Sequence, residues 1–361
     1  MQHRGLTITE VPAAVEAQLA SFFAGQESVI AELGSPVERA VEHLKRFVLG
    51  GGKRIRPLYG WTGFVGSGGC ERGGEDPEAV LRAVSSLEFI QACALIHDDI
   101  IDASDTRRGA PTVHRAIEAQ HREGNLRGDA AAYGEHAAIL IGDLALVWAE
   151  DMWRGSGVSQ DALARAEDAW RGMRTEVIGG QILDIALETE GSESAEMADR
   201  VNRFKTAAYT IERPLHLGAA LAGAPAETIA AFRGYGRDIG IAFQLRDDIL
   251  GVFGDAAITG KPAGDDIREG KRTVLYTSAL SLLDAADPSA AAELRAGIGA
   301  VDADVDRLAA LIARSGAVDA VEARIDELTA SGLTYLEQAP ISDEAVSTLR
   351  QLAIKSTARR S

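Results

Sequence analysis

Along most of the 361 residues, apolar side chains recur every three or four positions, and no stretch alternates in the two-residue rhythm of a strand. That spacing puts the apolar residues on one face of a helix and predicts an all-α chain. Aromatics make up only 5% and alanine is abundant, which favours closely packed helices over sheets. Glycine and proline punctuate the pattern. Breaks fall at GSP (Gly34–Pro36), GGGKRIRP (Gly50–Pro57), GSGGCERGGEDP (Gly66–Pro77), REGNLRGD (Arg122–Asp129), RGSGVS (Arg154–Ser159), ETEGSESA (Glu188–Ala195), AGAP (Ala222–Pro225) and GDAAITGKPAGDDIREGKR (Gly254–Arg272). Between them lie about ten predicted helices of ordinary globular length. No break reads as an interdomain linker, so residues 36–361 are expected to form one domain, with residues 1–35 a helical N-terminal extension.

The balance of 37 basic against 54 acidic residues leaves a formal charge of −17. Nucleic acid is an unsuitable partner for such a chain, because phosphate backbones need a basic footprint. Cys70 and Cys93 are the only cysteines, too few for a disulfide framework or a thiolate metal site, and a reducing cytoplasm fits them. The N-terminus lacks a long apolar core of a signal peptide, and no window of about 18 uncharged apolar residues predicts a spanning helix. No transmembrane segment is expected.

Against this background the stretch LIHDDIIDASDTRRGAPTVH, Leu95 to His114, stands out. Asp98 and Asp102 are four apart and share one helix face, where like charges repel by a few tenths of a kcal/mol. A solvated helix end is one reading of such a motif. A bound Mg²⁺ is the other, because this hard cation takes oxygen ligands and is shared between a few carboxylates and substrate phosphates. The zinc kind of histidine and cysteine ligand set is missing. A second acidic stretch, FQLRDDILGVFGD (Phe243–Asp255), carries Asp247 and Asp248, and Lys261 and Lys271 follow it. Arg107 and Arg108 offer forked donors suited to phosphate oxygens, and Lys53, Arg54 and Arg56 form another cluster on a glycine-rich turn. The turn is not a GxxxxGKS/T phosphate loop, and no GxGxxG follows a strand, so nucleotides are not the expected ligands.

With these motifs in order, together with GQILD (Gly180–Asp184), KTA (Lys205–Ala207) and GKPAGDDIREGKRTVL (Gly260–Leu275), the chain resembles the polyprenyl synthetase family, the trans-isoprenyl diphosphate synthases, and in particular its geranylgeranyl diphosphate synthase members. The resemblance runs from about Pro36 to the C-terminal helices. It implies an all-α isoprenoid synthase-type bundle around a deep central cavity, usually as a homodimer, that condenses an allylic diphosphate with isopentenyl diphosphate and releases pyrophosphate. Asp98, Asp102 and Asp247 would then bind three Mg²⁺ ions on the allylic diphosphate, which Arg107, Lys205, Lys261 and Lys271 would also contact. Isopentenyl diphosphate would lie on Lys53, Arg56 and Arg108, and Lys205, Thr206 and Gln244 would face the developing allylic cation. Two positions depart from the family's pattern. Gly251 replaces the fifth-position aspartate of the second motif, and Gln91 stands where many members carry a histidine that touches isopentenyl diphosphate.

Product length should be set on the helix before Asp98. Cys93 and Ala94 are small, so the next turn, Ile90 and Phe89, lies about 12 to 13 Å below Asp98 at 1.5 Å per residue and predicts a twenty-carbon limit. Phe89 facing the core instead is the alternative. Farnesyl or longer-chain synthesis, a class I terpene cyclase and a non-catalytic partner subunit are rival readings. The GGKRIRP and DTRRG pairs imply two diphosphates rather than a cyclase's one, and the retained Asp98, Asp102, Asp247 and Lys205 imply a catalyst.

Overall fold

The computed structural model describes residues 6–72, 74–255 and 263–357. Lys261 lies outside the described residues. The described chain is all-α as expected: eighteen α-helical segments, one π-helical stretch and a single two-stranded hairpin. The chain divides into two compact units. The first holds the residues up to Arg171, Pro214–Ile229 and Ile341–Ala345, and the second holds Gly172–Arg213, Ala230–Pro340 and the residues from Val346 onward.

The first unit begins with α1 (Val11–Leu33), whose buried Val11, Val15, Leu19 and Phe23 repeat every four residues and form one apolar stripe. Gly34, at φ +96°, ends it and leads into α2 (Ser35–Leu49). The glycine turn then enters α3 (Ile55–Gly66), which is buried along nearly its whole length. After the short α4 (Gly69–Arg72), Asp76 caps α5 (Pro77–Ser85) by accepting from the Glu78 amide. Next comes α6 (Leu87–Ile101), which carries the first aspartate motif. The strands Thr106–Arg107 and Ala110–Pro111 pair antiparallel across Arg108 and Gly109, both at positive φ, the geometry of a tight two-residue hairpin. The helices α7 (Val113–Glu123) and α8 (Ala130–Arg154) follow, α8 capped by Asp129.

Two stretches of this unit reach the length and mean hydropathy of a membrane span, yet neither holds an uncharged window of about 18 residues, as expected. In Pro77–Ile101, 78% of the apolar window is buried in the protein, as befits a core helix pair. In Ala130–Arg154 only 28% is buried, and Tyr133, Leu140 and Val147 are exposed at seven-residue spacing along one face.

Helix α9 (Gln160–Thr189) begins in the first unit and continues into the second. Then come α10 (Ala195–Val201), the π-helical stretch Asn202–Glu212, α11 (Arg213–Leu221) and α12 (Ala226–Phe253). A short α13 (Asp265–Glu269) precedes α14 (Val274–Ala286), α15 (Pro288–Gly297), α16 (Val305–Arg314), α17 (Ala317–Glu337) and α18 (Asp343–Thr357). The core of the second unit joins Leu245 and Ile249 of α12, Ile267 of α13, Leu275 and Leu280 of α14, and Leu311 of α16. The segments outnumber the predicted helices because Ser86 parts α5 from α6 with neither glycine nor proline, and because the C-terminal helices are short.

Candidate active site

The end of α6 turns one face of aspartates toward partial solvent: Asp98 and Asp102 are half-buried, whereas Asp99 between them is 1% exposed. Arg107 reaches back from the hairpin and donates through Nε to Asp99 Oδ1 at 2.7 Å, with Nη2 2.6 Å from the same oxygen and 3.7 Å from Asp98 Oδ2. Burial pushes the Asp99 carboxyl above the usual carboxylate range, against the downward pull of Arg107. Thus the aspartate that lies off the Asp98–Asp102 face anchors the arginine.

Arg108, held at φ +54°, donates to the Gly51 carbonyl at 2.9 Å, and its guanidinium lies against Gly52. The DTRRG hairpin and the GGGKRIRP turn are therefore in contact, as a shared anion site requires. Residues 50–54 of that turn include three positive φ angles, at Gly51, Gly52 and Arg54. Non-glycine residues rarely hold that conformation unless the surroundings impose it. Here Arg54 is locked by a buried ion pair, Nη1 donating to Glu88 Oε2 at 2.7 Å. Burial makes Arg108 less basic than an ordinary arginine. Glu88 offsets part of this, and Arg107, Arg54 and Arg56 add their repulsion. An arginine does not shed its proton under such conditions, so the cluster is a field that attracts an anion. Gln91 is half-buried one turn before Leu95.

The side chains expected to set product length lie on this same helix. Ala94 is half-buried and four residues before Asp98, on its side of α6. Cys93 turns toward α8, its Sγ 3.8 Å from His97 Nδ1, and His97 Nε2 lies 3.0 Å from the Ile139 carbonyl. Ile90 is buried. Phe89 is fully buried in an aromatic cluster, its ring centroid 5.2 Å from Phe22, 5.4 Å from Phe23 and 6.1 Å from Trp148.

The second unit gathers its own residues. Lys205 Nζ lies 2.6 Å from Asp184 Oδ2, joining the KTA and GQILD motifs. Gly180 makes this possible: a Cβ there would overlap the Lys205 backbone, so α9 and the π-helical stretch can approach closely only at a glycine. Thr206 Oγ1 donates to Gln244 Oε1 at 2.7 Å, and Gln244 Nε2 donates to Asp248 Oδ1 at 2.8 Å. Burial pushes the Asp248 carboxyl up to about 7; the Gln244 bond opposes this, and the charges of Asp266 and Asp247 reinforce it. Asp247 precedes this chain on α12, and Lys271 Nζ lies 3.1 Å from Glu269 Oε2. Sequence reasoning did not single out Glu88, Asp184 or Asp266 as partners. Asp184 and Asp266 had a signal, their places in GQILD and GKPAGDDIREGKRTVL, whereas Glu88 had none.

The donor set suits Mg²⁺. The motif aspartates offer oxygen only, and His97 and Cys93 on the same helix face each other and α8. Among the described residues, Asp99 Oδ2 and Asp248 Oδ2 are buried acceptors without a hydrogen-bond partner. Among the described residues no three ligand side chains form a closed cage. Mg²⁺ needs none, since it keeps waters and shares substrate phosphates.

The all-α fold carries two aspartate motifs, arginines gathered beside the first and a lysine on Asp184, as the resemblance to the isoprenyl diphosphate synthases implies. Comparison with known proteins agrees: residues 37–314 match the polyprenyl synthetase family. The crystal structure of a geranylgeranyl pyrophosphate synthase from Corynebacterium glutamicum, complexed with isoprenyl diphosphate and magnesium, superposes with a TM-score of 0.96 at 60% identity, covering 98% of this chain and all of that one. A geranylfarnesyl diphosphate synthase of Aeropyrum pernix is 33% identical over 81% of this chain and 85% of its own. A short chain isoprenyl diphosphate synthase of Methanocaldococcus jannaschii is 35% identical over 66% of each chain, so the match spans just under two thirds of that relative. The chain belongs to the polyprenyl synthetase family.

Proposed function

We propose that this enzyme condenses allylic diphosphates with isopentenyl diphosphate to make geranylgeranyl diphosphate, releasing pyrophosphate. The observation that supports this best is the hydrogen bond from Arg108 to Gly51, which draws two basic motifs onto one another beside the first aspartate motif. A cyclase needs one diphosphate site; this arrangement suits a second.

In this reading Asp98, Asp102 and Asp247 would hold three Mg²⁺ ions for the allylic diphosphate, which Arg107, Lys205, Lys261 and Lys271 would contact. Bound Mg²⁺ supplies charge neutralisation of the leaving diphosphate. Arg107 is pre-oriented by Asp99 for the same anion, so little reorganisation accompanies ionisation. Lys53, Arg56, Arg108 and Gln91 hold isopentenyl diphosphate. The Thr206 and Gln244 oxygens face the allylic cation, and their mutual hydrogen bond fixes that polarity. No protein nucleophile is required, and the departing pyrophosphate takes the final proton. The twenty-carbon product rests on the small Cys93 and Ala94, on Phe89 and Ile90 beyond them, and on 60% identity to a geranylgeranyl pyrophosphate synthase.

The family match spans both compact units, which favours one catalytic domain over residues 36–361. The exposed apolar face of α8 suits a homodimer. Cys70 and Cys93 are both buried and not joined in a disulfide, in keeping with a reducing cytoplasm. Steady-state kinetics of Arg108→Ala test the two-site reading. The KM for isopentenyl diphosphate should rise tenfold or more while that for the allylic substrate changes little. Equal increases for both would contradict it.

A further inference from the structure

The π-helical stretch Asn202–Glu212 runs for 11 residues, whereas π geometry seldom outlasts a single turn. Winding of that length needs something to hold it. Arg203 near its start and Glu212 at its end are 9 positions apart, and Arg203 Nη1 donates to Glu212 Oε2. In an α-helix that separation is about two and a half turns and roughly 13.5 Å of rise, which puts the two side chains on opposite faces and out of reach. Hydrogen bonds to the fifth residue widen each turn by nearly one residue, so the same separation comes to about two full turns and returns to one face. The ion pair is thus compatible with π winding and incompatible with α winding.

Glu212 is itself fixed in place. It is 1% exposed, and Arg233 of α12 donates through Nε to its Oε1 at 3.0 Å. Burial would raise this carboxyl, but the hydrogen bonds and charges of Arg203 and Arg233 outweigh it and hold the group below the usual carboxylate range. The next residue, Arg213, donates through Nε to Glu176 Oε2 of α9 at 2.8 Å. On α12, Gly236 and Gly240 are one turn apart, and a Cβ on either would overlap the backbone of Glu212 or of Ala207. Between the paired ends lie Lys205, on Asp184, and Thr206, on Gln244. A change to α winding would turn both away from these partners.

We propose that the Arg203–Glu212 ion pair holds the π winding and thereby positions Lys205 and Thr206 for the allylic diphosphate and the cation it yields. This rests on the prenyl diphosphate synthase reading. Arg203 and Glu212 are positioning residues, acting through Lys205 and Thr206.

Steady-state kinetics of Arg203→Met, which keeps length and loses charge, Arg203→Lys, which keeps charge, Glu212→Gln and the double variant Arg203→Met with Glu212→Gln test this. The kcat of Arg203→Met and of Glu212→Gln should fall by about tenfold or more, while the KM for isopentenyl diphosphate stays within about twofold, because Lys53, Arg56 and Arg108 lie in the first unit. Arg203→Lys should retain most of the activity, and the double variant should be no slower than the slower single one, as two ends of one contact require. Circular dichroism verifies folding, and the half-buried Arg203 carries the test if Glu212→Gln misfolds. Amide hydrogen exchange over residues 202–212 reads the winding without catalysis: it should quicken in Arg203→Met and stay slow in Arg203→Lys. Unchanged kcat in folded Arg203→Met, equal losses in the Met and Lys variants, or losses that multiply in the double variant would each overturn the proposal. No elongation by wild type would overturn the synthase reading instead, and the exchange rates would still decide whether the pair holds the winding.

Discussion

At the scale of single residues, the charged motifs announce themselves and their partners do not. Asp98, Asp102, Arg107 and Arg108 were legible because a helix rarely carries such charge unprompted. The Asp99 anchor of Arg107, the Glu88 lock on Arg54 and the Asp184 partner of Lys205 arise from through-space contacts across 8, 34 and 21 positions. Gly251 read as a loss in the sequence, and only the fold shows that a Cβ there would overlap the Asp266 carboxylate. Cys93 offers a test of the local environment. Burial, then the charge of Asp143, push its thiol up to about 12. At pH 8 the thiol form therefore dominates and the reactive thiolate is scarce. In a Cys70→Ser background, Ellman's reagent should therefore leave native Cys93 unreacted while the unfolded chain reacts fully, and the native rate should rise about tenfold per pH unit. Reaction at the rate of a free thiol would contradict this burial.

Among elements, the punctuation was largely legible. The breaks at Arg154–Ser159, Glu188–Ala195 and Ala222–Pro225 separate α8 from α9, α9 from α10 and α11 from α12. The π-helical stretch was not legible, because over eleven residues an apolar spacing of three and four fits π and α geometry alike. Nor was the work of α1. Its Phe22 and Phe23 pack on Phe89 and on Trp148 of α8, so the N-terminal helix backs the part of α6 assigned to product length. Phe23 is buried, and Phe23→Ala should cost about 3–5 kcal/mol in chemical denaturation. The space freed behind Phe89 should also let the product grow by at least one isoprene unit, read by chromatography of the dephosphorylated alcohols. A destabilised variant with an unchanged product would separate α1 from chain-length control.

For the whole molecule, the fold class followed from periodicity, whereas the division into two compact units left no mark in composition or linkers. The face of α8 carrying Tyr133, Leu140 and Val147 also escaped notice, because its apolar residues read as core until their exposure is known; Leu140 is 68% exposed. If this face joins two copies, light scattering should give a dimer for wild type and a monomer for Leu140→Glu, with folding intact. A dimer that survives the substitution would move the interface elsewhere. The central claim is that the two basic motifs and the two aspartate motifs serve one elongation reaction that stops at twenty carbons. The direct measurement is product chain length from purified enzyme with Mg²⁺, labelled isopentenyl diphosphate and, separately, dimethylallyl, geranyl and farnesyl diphosphate. Geranylgeraniol should dominate after dephosphorylation, including from the farnesyl primer. Farnesol as the end product, much longer alcohols, or no elongation from any primer would contradict the account.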